Sequence, residues 1–446
     1  MQSAFPILVV CLLGRVAWCA PQLELVTVVY RHGDRTPIRT WPTDPYGSES
    51  SWLQGYGQLT IRGMGQQSFL GELFYNRYIS GTYPGFLNAN YTRTQLYIRS
   101  TDVDRTLMSA EAQLSALFYP SEAERFNVSL PWQPIPVHTV PMSADILLRA
   151  FEADCPYYQW LVDQSYLTPE YMKLEQQNND FLVFLRNVTG NSVLKFEDLW
   201  IVEDTLFIEN IYNRTPSWYT TDLFNRVKNI SDYTLSLMYN SLEKNRLSAG
   251  VFVGELVAYM NTTVTGISQD GTKMHMYSAH DTTVAAVMSA LGVYSGIQPP
   301  YASAFMIELF SENSNYFVKC FFRNDTATNS IQELFIPACG GTNCTWSQFL
   351  DFTKKLIPGD WYAECQIPTP APSTSSSPST SSSPSTSSQI ASSEVAAITL
   401  GVLLGFVILL VVLFFVVAIC KGRRSSKSYA VDYGASAPLI TAKQSF

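Results

Sequence analysis

The chain contains no CxxC pair, the spacing that structural zinc sites use, so a zinc-stapled module is excluded and no metal or other cofactor is expected. Charged residues are scarce, 15% of 446, and the 29 Lys and Arg are outnumbered by 37 Asp and Glu, for a net charge of -8. The basic side chains are not massed in one stretch, which argues against nucleic acid as a partner. Histidine is rare too: there are four, His32, His138, His275 and His280. Long apolar runs are confined to two places. The first, within Met1 to Ala20, is too short to span a bilayer and ends in small residues, the pattern of a cleaved secretory signal. The second, Val395 to Cys420, carries no charged side chain over about 26 residues, or about 39 Å of helix. Lys421, Arg423, Arg424 and Lys427 follow it and favour the cytoplasmic side. The expectation is a single-pass type I membrane protein with a lumenal or extracellular ectodomain, at the lysosomal/endosomal membrane or the cell surface. Its membrane contact would be one C-terminal helix, 395–420, with a cytoplasmic tail at 421–446.

A Ser/Thr/Pro tract within 366–394 buries almost nothing and reads as a stalk. Asn-x-Ser/Thr sequons begin at Asn90, Asn127, Asn187, Asn213, Asn229, Asn261, Asn324 and Asn343, all before the apolar segment, consistent with a glycosylated ectodomain. Between signal and stalk stand Cys155, Cys320, Cys339, Cys344 and Cys365. An odd number in an oxidising compartment leaves one free or paired to another chain. A local Cys339–Cys344 bridge is natural, Cys155–Cys365 would then tie the middle of the chain to its end, and Cys320, in an apolar run, reads as a buried thiol.

Leu23 to Tyr30 is the pattern of a strand buried on both faces. It runs into Arg31-His32-Gly33-Asp34-Arg35-Thr36-Pro37, where glycine and proline stop it. Thr60 caps a helix reaching toward Ile79, Leu96-Tyr97-Ile98 is a short strand before Arg99, and Val103 onward repeats Leu107, Ala110, Leu114 and Leu117 at helical spacing. Met274 to Ala279 is a third strand, ending at His280-Asp281, and Phe305–Phe310 with Tyr316–Phe322 forms a late hairpin. The stretch 145–249 lacks strand alternation and reads as a mostly helical inserted domain. The fold class expected is α/β: a mixed, largely parallel sheet with helices on both faces, assembled from 21–144 and 250–365, plus that smaller domain and one transmembrane helix.

In open sheets, ligand sites form past the carboxyl ends of parallel strands. Three such ends carry Arg31, His32 and Arg35; Arg99; and His280 and Asp281. Guanidinium forks match phosphate oxygens, a neutral imidazole attacks phosphorus, and a carboxyl protonates the departing alkoxide. His32 is the expected nucleophile, Asp281 the general acid, and Arg31, Arg35, Arg99 and His280 the phosphate ligands. The arginines should hold His32 neutral, and a bound dianion should raise Asp281, giving an acidic working range. Asp102, Asp104 and Arg105 read as residues that brace the loop or cap the helix, while His275 reads as packing.

VVYRHGDRTP (28–37), GQLTIRGMG (57–65), RSTDVDR (99–105) and SAHDT (278–282) together resemble the histidine acid phosphatases, nearest the lysosomal and prostatic type, over about residues 22 to 365. The resemblance implies an α/β domain with a helical second domain, a metal-free phosphohistidine mechanism, small phosphomonoester substrates and a possible homodimer. It assigns His32 as nucleophile, Asp281 as acid, and Arg31, Arg35, Arg99 and His280 as phosphate ligands. It also matches two of the three disulfides expected in the family. Two alternatives stay open: narrow specificity for nucleotides, inositol phosphates or phosphoprotein, and a non-catalytic adhesive or receptor ectodomain.

Overall fold

The structure, a computed structural model, describes residues 20–267 and 271–368. Seven strands form one sheet: β1 (Gln22–Arg31), β2 (Leu96–Ser100), β3 (Met274–Ala279), β4 (Ala304–Glu312), β5 (Asn315–Arg323), β6 (Gln332–Leu334) and β7 (Cys344–Thr345). The order is β2-β3-β1-β4-β5-β6, with β7 also paired to β5. Only β2-β3-β1 is parallel, and the β4/β5 hairpin turns the rest antiparallel, so the sheet is mixed rather than largely parallel. β1 explains itself. Val26, Val28 and Val29 are fully buried, β-branched residues fit a pleat, and burying each such side chain contributes about 1.5–3 kcal/mol.

Both faces of the sheet are covered. On one, α1 (Ile61–Tyr75) and α2 (Asp104–Leu117) pack Leu70, Phe74, Leu114 and Leu117 against Val28, Ile98 and Met276. Thr60 caps α1, its hydroxyl accepting from the Gly63 amide at 3.0 Å. Between β2 and β3 the chain runs through α3 (Pro156–Ser165), α4 (Pro169–Gln177), α5 (Asn179–Thr189), α6 (Trp200–Ile211), α7 (Thr221–Leu237) and α8 (Leu242–Val264). Helices α4 to α7 share a core of their own around Phe181, Leu185, Leu206 and Val227. By contrast, α8 joins α9 (Asp281–Ala290) and α10 (Trp346–Thr353) on the second face of the sheet, with Phe252, Val284 and Phe349 in one cluster. The chain closes with α11 (Trp361–Glu364), pinned beside α3 by the Cys155–Cys365 disulfide. Cys339 is bonded to Cys344, and Cys320 is a free, buried thiol that burial pushes up in pKa. All eight sequon asparagines are exposed.

The transmembrane expectation is corrected. Among the described residues no helix is long and apolar enough to cross a membrane. The longest, α8 with 23 residues, carries Glu243, Lys244, Arg246 and Glu255 and packs against the sheet. The segment 395–420, on which that reading rested, lies outside the described residues, as do nearly all of the proposed signal (1–20) and of the stalk, and the tail. The single-pass topology, the membrane contact and the localisations built on it are therefore withdrawn.

Candidate active site

Strand register assembles the site. Arg31 pairs opposite Ala279 on β3, and Ser100 pairs opposite Ser278. His32 therefore leaves β1 beside His280 and Thr101 leaves β2 one residue short of it, and the His32 amide donates to the Ala279 carbonyl at 3.0 Å. The loop after β1 lies directly on α1. A Cβ on Gly33 would sit 2.3 Å from the Gly63 carbonyl oxygen, so both positions need glycine for this approach. Gln67 on α1 donates to the Arg31 carbonyl at 2.8 Å, and the Gly33 amide donates to the Ser109 hydroxyl on α2 at 3.2 Å.

Five of the six residues expected to meet phosphorus or its oxygens gather around one cavity of about 620 Å³. His32, Arg35, His280 and Asp281 line it, and Arg31 stands behind, its Nη2 2.9 Å from Asp281 Oδ2. The His32 Nδ1 lies 2.8 Å from the Gly33 carbonyl oxygen. A carbonyl only accepts, so Nδ1 carries the proton and Nε2 keeps a lone pair. Burial first, and then Arg105, Arg31, His280 and Arg35, hold the imidazole well below its ordinary pKa, so that it stays neutral. The His32 and His280 rings are 5.6 Å apart. Arg35 is fixed by both oxygens of Asp204 on α6, at 2.8 and 2.9 Å. Arg31 donates to the Pro299 carbonyl at 2.7 Å and stacks over Tyr301 at 4.2 Å.

The sixth residue stands elsewhere. Arg99 is still inside the β2 ladder, opposite Tyr277, and its guanidinium meets Asp145 at 2.5 Å. Arg105, read from sequence as structural, lines the cavity instead. Its Nη2 is 3.4 Å from His280 Nδ1, its Nη1 is 3.5 Å from the Gly57 carbonyl, and it has no carboxylate partner among the described residues. Burial, followed by the nearby Arg35, lowers it to about 10. Asp281 is, among the described residues, the one carboxylate whose charge favours this cation, and it is not in ion-pair contact with it; a buried cation so weakly countered is costly, and a phosphate dianion would supply a direct partner. The sequence held a hint: arginine in the first turn of α2 opposes the positive end of the helix dipole unless an anion sits there.

Asp281 also departs from expectation in the free protein. Burial, the largest influence, pushes its carboxyl up, but Arg31 and Arg35, together with the Thr282 amide and Gln298, hold it below the usual carboxylate range. Gln298 Nε2 donates to Oδ2 at 2.7 Å, and the Thr282 amide donates to Oδ1 at 2.8 Å. Sequence reasoning also missed the outer wall, where Ile38, Tyr166, Trp200, Leu235 and Met238 leave space beyond the cations for an organic leaving group. His275 stacks on Tyr259 at 3.8 Å.

Known proteins are similar to this chain. Residues 22–323 match the histidine phosphatase superfamily, branch 2. Bovine prostatic acid phosphatase is 43% identical over 353 residues, which cover 78% of this chain and 89% of that protein. Human lysosomal acid phosphatase is 42% identical over 353 residues, covering 78% and 81%. Among solved structures, the phytase of Hafnia alvei in complex with myo-inositol hexakis sulphate aligns with a TM-score of 0.60 at 17% identity, over 78% of this chain and 99% of that one, a likeness of fold. With the matched stretch spanning β1 to β5 and every loop that brings a cation to the cavity, the chain belongs to the histidine phosphatase superfamily, branch 2, among its acid phosphatases, which hydrolyse phosphomonoesters.

Proposed function

We propose that this protein works as an acid phosphatase in which His32 carries the phosphoryl group and Asp281 serves as proton donor and acceptor. The observation that carries the assignment is the His32 Nδ1–Gly33 contact, which leaves Nε2 as a lone pair among buried guanidinium groups. Arg35 and Arg105 hold the equatorial oxygens as charge develops on them. Nε2 attacks phosphorus, the P–O ester bond breaks, and the leaving oxygen takes a proton from Asp281. A water then attacks the phosphohistidine, giving its proton to the Asp281 carboxylate and releasing inorganic phosphate and neutral His32.

In the free protein Asp281 is an anion bonded to Arg31. The proton that it donates therefore arrives with a monoanionic ester, and an arriving phosphate that draws Arg31 off the carboxylate frees Asp281 to take it. Apolar Trp200, Leu235 and Met238 with charged Arg39, Glu197 and Asp198 meet the leaving group, a wall suited to small mixed-polarity alcohols rather than to one polyanion. The test is rapid acid-free quench of full-length protein with a 32P-labelled monoester. One alkali-stable, acid-labile phosphate should map to His32 and vanish in His32→Ala; label retained in that variant refutes the assignment.

A further inference from the structure

Asp281 is held by its neighbours in the site and also, at one remove, by helix α7. Asp232 of α7 accepts the Gln298 backbone amide through Oδ1 at 2.9 Å and holds Lys228 Nζ with both oxygens, at 3.0 and 2.8 Å. Lys228 stands four residues before it, and such a pair on an open helix face is screened by water and contributes little. This carboxylate differs: its side chain is 15% exposed, and one oxygen is shared with a segment 66 residues further along the chain. Gln298 passes the contact on, its Nε2 donating to Asp281 Oδ2 at 2.7 Å. The direction of that bond follows from chemistry, because the ionised Asp281 carboxylate only accepts. Gln298 precedes Pro299 and Pro300, so its backbone is biased to extended conformations and φ is set at the next two residues. Anchoring Gln298 therefore also places the Pro299 carbonyl, which accepts from Arg31 Nη1 at 2.7 Å. The far end of the segment is tied to β1, where the Ala302 amide donates to the His32 carbonyl and the Arg31 amide to the Ser303 carbonyl, both at 3.0 Å. At the near end the tie is Asp232.

Resting on the phosphatase reading above, we propose that Asp232 is a positioning residue for the proton donor: from α7 it anchors Gln298, and Gln298 holds Asp281 toward the leaving group once phosphate has drawn Arg31 away. Two side-chain donors meet Oδ2 in the free protein, Arg31 at 2.9 Å and Gln298 at 2.7 Å. When the first turns to phosphate, the second keeps the carboxyl from following it. The same stretch of α7, with its C-cap residue, presents Ser231, Thr234, Leu235 and Met238 to the cavity. One element thus sets both the wall against which the leaving group packs and the group that protonates its oxygen. Val227 and Ile230, just before Asp232, are buried in the core that α4 to α7 share, which makes α7 a firm support for the link.

The link carries a leaving-group signature. In full-length protein, Asp232→Ala should lower kcat for an alkyl phosphate about tenfold, the worth of one hydrogen bond to a charged group. Turnover of a nitrophenyl phosphate, whose leaving group needs no proton, and inhibition by inorganic phosphate should stay near wild type. Gln298→Met should show the same pattern, and the double variant should be no worse than Gln298→Met alone, because residues that act through one contact are not additive. Asp232→Asn keeps an oxygen for the Gln298 amide while Lys228, 34% exposed, turns to water, so the alkyl rate should return. In an Asp281→Asn background, Asp232→Ala should no longer change the ratio of the two rates. Equal losses on both esters, additive losses in the double variant, or a further change of the ratio in the Asp281→Asn background would each overturn the proposal and leave Asp232 a structural residue. Should Asp232→Ala not fold, Asp232→Ser, whose shorter polar side chain falls short of Gln298, is read in its place. If Asp281→Asn alone leaves the ratio at its wild-type value, the acid role itself fails; a ratio changed there and unchanged in Asp232→Ala sinks the link alone.

Discussion

Replacing Asp281 by asparagine should impair chemistry while tightening phosphate binding. Oδ2 accepts from Arg31 Nη2 at 2.9 Å and from Gln298 at 2.7 Å, and Oδ1 accepts from the Thr282 amide at 2.8 Å. An asparagine amide must point its NH2 at one of these donors, so whichever way it turns a donor–donor clash results. The clash is smallest in cost if Arg31 leaves, since it can follow the incoming phosphate. The cavity also loses its innermost negative charge. Inorganic phosphate should therefore bind about tenfold tighter, one charge-assisted hydrogen bond gained. The missing acid costs a different quantity: kcat for an alkyl phosphate should fall by about 10² to 10⁴, the usual worth of a positioned proton donor. A nitrophenyl phosphate, whose leaving group needs no proton, should lose far less. Steady-state kinetics on both esters, with phosphate as competitive inhibitor and circular dichroism as the folding control, reads all three. Equal falls for the two esters, or weaker phosphate binding by folded protein, would refute both the acid role and the Arg31 exchange.

Two further outcomes separate the cations and the protons. Arg105→Leu should lower kcat/KM by about 10² to 10³, as loss of one oxyanion donor does, whereas Arg99→Leu should act mainly on the melting temperature by stranding buried Asp145, and phosphate inhibition constants for the pair report the difference. The pH dependence follows from signs: His32 is held below its ordinary value and stays neutral, and Asp281 is held below its own and stays ionised in the free protein. The reacting proton then comes with the substrate, so kcat/KM should rise as pH falls through the ester's second ionisation, about 6 for a serine-type phosphate. With two esters whose second ionisations differ, the alkaline limb should move with them; a limb common to both would place the titrating group on the protein.

What was legible in the amino-acid order was whatever depends on local pattern. The run Leu23 to Tyr30 could only be a doubly buried strand, and His32 and His280 each had to sit just beyond a strand end. The Cys339–Cys344 bridge closes a loop short enough to be seen in sequence, and it forms. The mixed character of the sheet was half visible, since the late hairpin was plain but its weight against the parallel strands was not.

Where a side chain ends up after the strand stops was decided elsewhere. Arg99 and Arg105 are both arginines near the end of β2, and the five residues 100–104 separate a ladder position braced by Asp145 from a cavity position facing His280. Its place at the positive end of the α2 dipole marks Arg105 as unusual but does not say what either arginine meets, because Asp145 and His280 reach them only through the packed tertiary structure. The same holds for Asp281, whose carboxyl is pushed up by burial and pulled down by two arginines from another strand end. Residue types and strand periodicity determined that these histidines and cations would gather beyond the carboxyl ends of the parallel strands. The charge state of each group in it was settled by distances between segments far apart in the chain, which electrostatics weighs and sequence order does not record.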